Sequence, residues 1–201
     1  MRKHKISTQL KSEFLGKVGR LEIKNIIDSL VSLIKNPSKG LPEEIFLFVS
    51  RFTPIINVDL LIKNEQNQTL LTWRDDGYYP AGWHIPGGIV RYKEKISDRI
   101  KAVAASELGA RIKFKKEPLA VNEVIIPSRR NRGHFISLLY ECKLISPLNE
   151  NLKYEKGIPK PGQWAWHTKR PKNIISVHRM YRKFIEGGEY YVNSTRTVKS
   201  K

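Results

Sequence analysis

The stretch Gly82-Trp83-His84-Ile85-Pro86-Gly87-Gly88-Ile89-Val90-Arg91-Tyr92-Lys93-Glu94, continued as Lys95-Ile96-Ser97-Asp98-Arg99-Ile100-Lys101-Ala102-Val103-Ala104-Ala105-Ser106-Glu107-Leu108-Gly109-Ala110, decides how this chain is read. A short strand, Trp83–Ile85, meets a Pro86-Gly87-Gly88 turn, and a helix follows from about Lys95 to Leu108. At about 100° per residue, Glu107 falls between Ile96, Ile100 and Val103, in the middle of the apolar stripe. A carboxylate there needs a cation. A metal or a neighbouring arginine would supply it, because buried acids are paired or bind metals.

On the N-terminal side, Ile55-Ile56-Asn57-Val58-Asp59-Leu60-Leu61-Ile62 and Thr69-Leu70-Leu71-Thr72-Trp73 read as strands, with Asn64-Glu65-Gln66-Asn67-Gln68 as a polar hairpin turn between them. A short helix is expected around Glu43–Ser50. On the C-terminal side, strands are expected near Ala120–Ile126 and His134–Leu144, joined by the arginine-rich tip Ser128-Arg129-Arg130-Asn131-Arg132-Gly133. Trp164-Ala165-Trp166 suggests a last strand, and Ile174–Ile185 a last helix. Strands before and after one central helix predict a mixed α/β (α+β) domain, its sheet sandwiched between helices.

Residues 20–34 place Ile23, Ile26, Ile27, Leu30, Val31 and Ile34 at helical spacing, which predicts an amphipathic helix. Its apolar face is expected on the main domain or on a second subunit, as in a homodimer; a membrane surface is the lesser alternative. Asn36-Pro37-Ser38-Lys39-Gly40-Leu41-Pro42 ends it, because proline lacks the donor a helix needs. The expected organisation is a basic helical extension over 1–40, a main domain over 41–187 and a basic tail over 188–201.

With 201 residues and 40% hydrophobic composition, the chain can bury one sizeable core. The single cysteine, Cys142, excludes an intrachain disulfide and a multi-thiolate metal site, and fits a reducing, cytoplasmic compartment. No apolar run approaches the roughly 18 residues of a membrane span, and no signal-peptide core follows Met1. The net charge of +18 is concentrated at the ends: residues 1–40 hold nine Lys/Arg against three acids, and residues 148–201 hold twelve against four. Such ends suit polyanions, nucleic acid among them, or simply form a solvated surface.

Gly88, Glu94 and the helix ending in Ser106-Glu107-Leu108-Gly109-Ala110 resemble the signature box of the Nudix hydrolases, which act on nucleoside diphosphate derivatives. The box in that family is a loop–helix–loop, in agreement with the periodicity. Where most boxes carry Arg-Glu and Glu-Glu pairs, this chain has Ala102-Val103 and Ser106-Glu107, so one acid of three remains. The reduced box, together with Thr53-Pro54-Ile55-Ile56-Asn57-Val58-Asp59-Leu60, is similar to the GDP-mannose mannosyl hydrolase branch, over about Leu41 to Leu144 and more weakly to Trp166. That branch uses Mg²⁺ to stabilise a departing nucleoside diphosphate while water attacks the sugar carbon.

The resemblance implies a Mg²⁺ site, with Mn²⁺ as the alternative ion, in which Glu107 is the metal acid and Gly87 lends its carbonyl. It implies a nucleotide-sugar substrate held by Arg74, a guanidinium suited to bidentate diphosphate recognition. His134 and Arg91 are further substrate-binding candidates. Glu94 is either an acid behind the metal ligand or an ordinary acid at a helix N-terminus. Asp59 either orients a donor at the site or satisfies buried backbone groups.

Other positions depart from the branch. Its remaining arginines fall on Ile89 and Ala102, its tyrosine on Phe135, and its base with the preceding glutamine near Pro161 and Lys160. Gln163 and His167 are nearby candidates to replace that pair, and Arg129, Arg130 and Arg132 to replace the phosphate contacts. Besides a hydrolase, the sequence allows a catalytically impaired nucleotide-binding or regulatory protein and an RNA-associated relative.

Overall fold

The computed structural model describes residues 20–187. Its elements run α1 (Arg20–Ser32), α2 (Glu43–Val49), β1 (Ile55–Ile62), β2 (Thr69–Arg74), β3 (Gly82–His84), β4 (Gly87–Ile89), α3 (Ile96–Leu108), β5 (Ile112–Phe114), β6 (Ala120–Ile125), β7 (His134–Leu144), β8 (Trp164–His167) and α4 (Arg182–Ile185). Short 3₁₀ segments cover Pro37–Lys39, Glu150–Leu152 and Ser176–Tyr181. The expected tail over 188–201 and the first half of the basic extension lie outside the described residues.

Two sheets share the load. In the five-stranded one β1 pairs parallel with β7 through eight residues, Ile55↔Phe135 to Ile62↔Cys142, and antiparallel with β4. On its other side β7 takes β6 along one half and β5 along the other. The second sheet has the order β3-β2-β8.

Alternation along β1 builds two cores, because successive side chains leave a strand on opposite faces. Val58, Leu60 and Ile62 pack with Ile100, Val103, Ala104 and Leu108 of α3. Leu61 turns the other way, toward Trp73, Trp83, Ile85, Tyr181, Phe184 and Ile185. Asp59 shares that second face and is fully buried. α3 stops where Gly109 turns left-handed, with φ 61°, and its N–H caps the carbonyls of Ala104 and Ala105.

Several expectations are corrected. Gly87 and Gly88 are not a turn but the first two residues of strand β4, paired with Asp59 and Val58. Both positions require glycine: a Cβ on Gly87 would stand 2.3 Å from Asp59 Oδ1, and one on Gly88 2.7 Å from Val103 Cγ2. The Asn64–Gln68 turn does not close a regular hairpin, because β1 and β2 enter different sheets and meet at the Lys63↔Thr69 bridge.

The last helix is also different. It is a 3₁₀ segment, Ser176–Tyr181, followed by one α turn. In a 3₁₀ helix residues i and i+3 eclipse, so His178 and Tyr181 point the same way, with ring centroids 5.4 Å apart. Finally, α1 does not bury its apolar face on the main domain: Ile23, Ile26, Ile27 and Val31 are all more than half exposed. No helix among the described residues is long and apolar enough to cross a membrane.

Candidate functional site

Two short strands bring the site together. In the β2–β3 ladder Thr72 lies opposite His84, and both side chains point inward beneath the C-terminal end of α3. Thr72 Oγ1 donates to Glu107 Oε2 at 3.0 Å and lies 2.9 Å from His84 Nε2. With Glu107 ionised the hydroxyl proton goes to it, and Thr72 then accepts from His84 as the Nε2–H tautomer. Glu107 Oε1 accepts from the Gly87 N–H at 3.2 Å. This bond uses the amide of Gly87, and its carbonyl, expected as a metal ligand, is not involved in it.

Among the described residues no arginine lies within ion-pair distance of Glu107. Its nearest ionisable neighbour is His84, 3.7 Å away, and burial, His178 and Arg74 push that ring down to about 3, so it is neutral at pH 7. Desolvation therefore prevails: burial raises the Glu107 carboxyl to about 7, against the pull of Thr72, the Gly87 amide and Arg74 and with the push of Asp59. The side chain is 26% exposed, and that exposure opens into a cleft of about 310 Å³ lined by Thr72, Arg74, Asp75, Asp76, His84 and Pro161, among others.

Asp59 lies on the other side of Gly87. Asn57 Nδ2 donates to its Oδ1 at 2.8 Å, and Ser137 Oγ and Tyr181 OH donate to its Oδ2 at 2.7 and 2.6 Å. Its partners are thus side chains, not the backbone groups considered from sequence. Burial raises it to about 6, with Tyr181, Ser137 and Asn57 opposing. His178 stands 3.8 Å from Oδ1, too far for a hydrogen bond, while its Nδ1 accepts from the Ile85 N–H at 3.0 Å. Burial and Arg74 lower His178 to about 3.

Above Asp59 is a second cavity, of about 170 Å³, which shares Arg74 and Gly87 with the first. Arg74 is the element common to both, held by Asp76 through Nε and Nη2. That leaves part of its five-donor fork for a ligand.

The other sequence candidates lie elsewhere. Glu94 is enclosed in a two-bond pair with Arg99, at 2.9 and 2.8 Å, and also accepts from the Arg91 N–H. Burial pushes it up, but Arg99 and Arg91 hold it below the usual range. It lines neither cavity; it closes the turn into α3. The Arg91 side chain borders a separate groove with Tyr92 and Arg99. His134 is exposed and faces Glu123 at 3.0 Å. His167 packs its ring on Trp83, 4.7 Å between centroids, and Gln163 accepts from the Lys160 N–H; neither lines either cavity. Of the loop arginines, Arg132 lines the smaller cavity.

Thr72, His84, Asn57, Ser137, His178 and Tyr181 were missed from sequence. Only the inward parity of Thr72 and His84 on their strands offered a signal. Among the described residues no group of three or more His, Cys, Asp or Glu is placed to hold a metal. A cation bound here would rely on Glu107, backbone, water and substrate oxygens. The oxygen donors and the cleft fit that sparse mode, which Mg²⁺ tolerates.

No family model matches the chain. A curated relative, the low-salt glycan biosynthesis protein Agl8 of Haloferax volcanii, is 32% identical over 73 residues, 36% of this chain; the match spans less than half of that protein, 46%. Among solved structures, a MutT NUDIX hydrolase from Burkholderia pseudomallei superposes with a TM-score of 0.52 at 18% identity, covering 66% of this chain and 98% of that one. A NUDIX hydrolase from Nitrosomonas europaea gives 0.51 at 21%, covering 69% and 76%. At these identities the likeness is one of architecture: the chain has the fold of the Nudix hydrolases.

Proposed function

We propose that this protein is a divalent-metal-dependent hydrolase of a nucleoside diphosphate derivative, with a nucleoside diphosphate sugar as the favoured substrate. The observation that carries the proposal is Glu107: a desolvated carboxylate opening into a cleft, with neutral His84 beside it and no Lys or Arg in ion-pair range among the described residues. Buried acids persist when they are paired or metal-bound. The fold supports a pyrophosphatase-type hydrolase, and the likeness to a glycan biosynthesis protein favours a sugar on the diphosphate.

In this reading Glu107, oriented by Thr72 and the Gly87 amide, holds Mg²⁺ or Mn²⁺. The bound ion would supply charge neutralisation on the leaving phosphate. Arg74, set at the junction of the two cavities by Asp76, grips the diphosphate. His84 keeps the Thr72 hydroxyl turned toward Glu107, so that the carboxylate presents fixed lone pairs. Asp59, enclosed by Asn57, Ser137 and Tyr181, anchors the floor and lies too deep to touch a substrate.

A second reading, ligand binding without turnover, is favoured by one observation. His84 and His178 both carry their proton on the nitrogen nearer the site, so neither offers a ready base. One experiment decides between the two: a panel of nucleoside diphosphate sugars with and without Mg²⁺, comparing wild type with Glu107→Gln. Metal-dependent release of nucleoside mono- or diphosphate, lost in Glu107→Gln, is expected. Binding with no release by the wild type would establish the second reading instead. Hydrolysis in ¹⁸O water then assigns attack to carbon or phosphorus.

A further inference from the structure

The smaller cavity has features that metal binding at Glu107 does not require. Its wall includes Arg132, delivered by the tip between β6 and β7, and Arg74. That tip is fastened at several points. Arg51 Nε donates to Asn131 Oδ1 at 2.6 Å, the Arg132 N–H donates to Ser50 Oγ at 3.1 Å, and Arg129 donates to the Tyr78 carbonyl. Two guanidinium groups then stack on two successive tyrosines, Arg129 4.1 Å from the Tyr79 ring centroid and Arg132 3.8 Å from that of Tyr78.

Arg132 is held at a positive φ of 53°, a region disfavoured for a residue with a Cβ. The outcome of this anchoring is a buried Arg132 Nε with no hydrogen-bond partner. Buried donors are nearly always satisfied, and the cavity that the Arg132 side chain lines has Arg74 beside it and no carboxylate among its lining residues. The acids nearby do not fill it. Asp76 is engaged with Arg74, and both Asp59 oxygens are taken by Asn57, Ser137 and Tyr181.

We infer that this cavity is an anion subsite, with Arg132 as its specific ligand and Arg74 shared with the neighbouring cleft, and that it takes a second phosphate group. The inference rests on the proposed function only for the ligand's other half: a diphosphate lying across Gly87 would place one phosphate at Glu107 and its partner between Arg74 and Arg132. At about 170 Å³ the space exceeds many times the roughly 30 Å³ share of one water. Because stacking and the backbone anchors hold the tip in place, the subsite is preorganised and little ordering is required on binding.

The test is calorimetric titration of inorganic pyrophosphate into the full chain in EDTA, using wild type, Arg132→Gln, Arg130→Gln and Glu107→Gln. Arg130 is an exposed residue of the same tip and controls for unspecific basic charge. Wild type is expected to bind one pyrophosphate. Arg132→Gln should weaken this by about tenfold or more, the worth of one charge-assisted hydrogen bond, while Arg130→Gln stays within about twofold. Glu107→Gln should bind equally or more tightly, since it removes a negative charge.

Circular dichroism and thermal melting verify that each variant folds. Arg132→Lys, which keeps the charge and loses the fork, covers a failure of Arg132→Gln, with a severalfold loss expected. Undiminished binding in Arg132→Gln, an equal loss in Arg130→Gln, or no binding by the wild type would each overturn the subsite. If no nucleotide sugar is hydrolysed but pyrophosphate binding still depends on Arg132, the function proposal fails and the subsite stands.

Discussion

Replacing Glu107 by glutamine should make the metal-free protein more stable, and only above mildly acidic pH. In the unfolded chain a glutamate ionises near 4.5, whereas burial raises Glu107 to about 7 in the folded state. Between those values the folded state holds a proton that the unfolded state has lost. Glu107 therefore costs stability as pH rises from 4.5 through 7. At about 1.4 kcal/mol per pH unit, the interval from 4.5 to about 7 amounts to about 3 kcal/mol at pH 8. Glutamine carries no charge, so Glu107→Gln avoids the cost while its carbonyl can still accept from Thr72 or Gly87.

Urea denaturation in EDTA at pH 4.5 and pH 8 measures the difference. The variant should gain about 2–3 kcal/mol over wild type at pH 8 and little at pH 4.5, where the folded carboxyl is protonated and the unfolded one still half so. Equal or lower stability of the variant at pH 8, or a pH-independent gain, would refute the view that desolvation prevails at Glu107.

Three further substitutions separate floor, turn and site. Gly87→Ala places a Cβ against Asp59 Oδ1 and the Val58 carbonyl, and should cost about 1–3 kcal/mol in denaturant; an unchanged midpoint would contradict the close approach. Tyr181→Phe removes the 2.6 Å donor to Asp59 and should destabilise by about 1.5–3 kcal/mol at pH 8, with less loss at pH 5, because Asp59 titrates near 6 and is mostly protonated there. The same loss at both pH values would show that the bond does not serve the ionised acid. Glu94→Gln breaks the pair with Arg99, both partners largely buried, and should lower stability by about 2 kcal/mol; a matching loss of Mn²⁺ affinity would contradict its placement away from the cleft.

What could be read from the chain beforehand follows from where information is local. β1 and β7 appeared with the bounds they have in the structure, because apolar and β-branched side chains fill them. α3 appeared through its apolar period. β4 was hidden because Gly87 and Gly88 have no side chains to show parity, and only the approach of β1 makes them a strand. The segment Ser176–Tyr181 has a helical apolar period, yet contacts of His178 with Ile85 and of Tyr181 with Asp59 accompany the tighter winding.

Glu107 was legible as an acid among apolar neighbours. The facing of Thr72 and His84 depends on ladder register, and the convergence of Arg132 on Arg74 joins parts of the chain some 60 residues apart. Glu94, readable either as an acid behind the metal ligand or as an ordinary acid at a helix N-terminus, pairs with Arg99, a local contact that spacing along the chain alone does not single out.

We propose Glu107 as the metal-binding carboxylate of the cleft. Mn²⁺ binding followed by electron paramagnetic resonance at pH 7.5 tests it without reference to turnover. Wild type should bind one Mn²⁺, and Glu107→Gln should lose that site with affinity down by about tenfold or more, as expected for removing a charged ligand from a sparse coordination set. Equal Mn²⁺ occupancy in wild type and Glu107→Gln would contradict it.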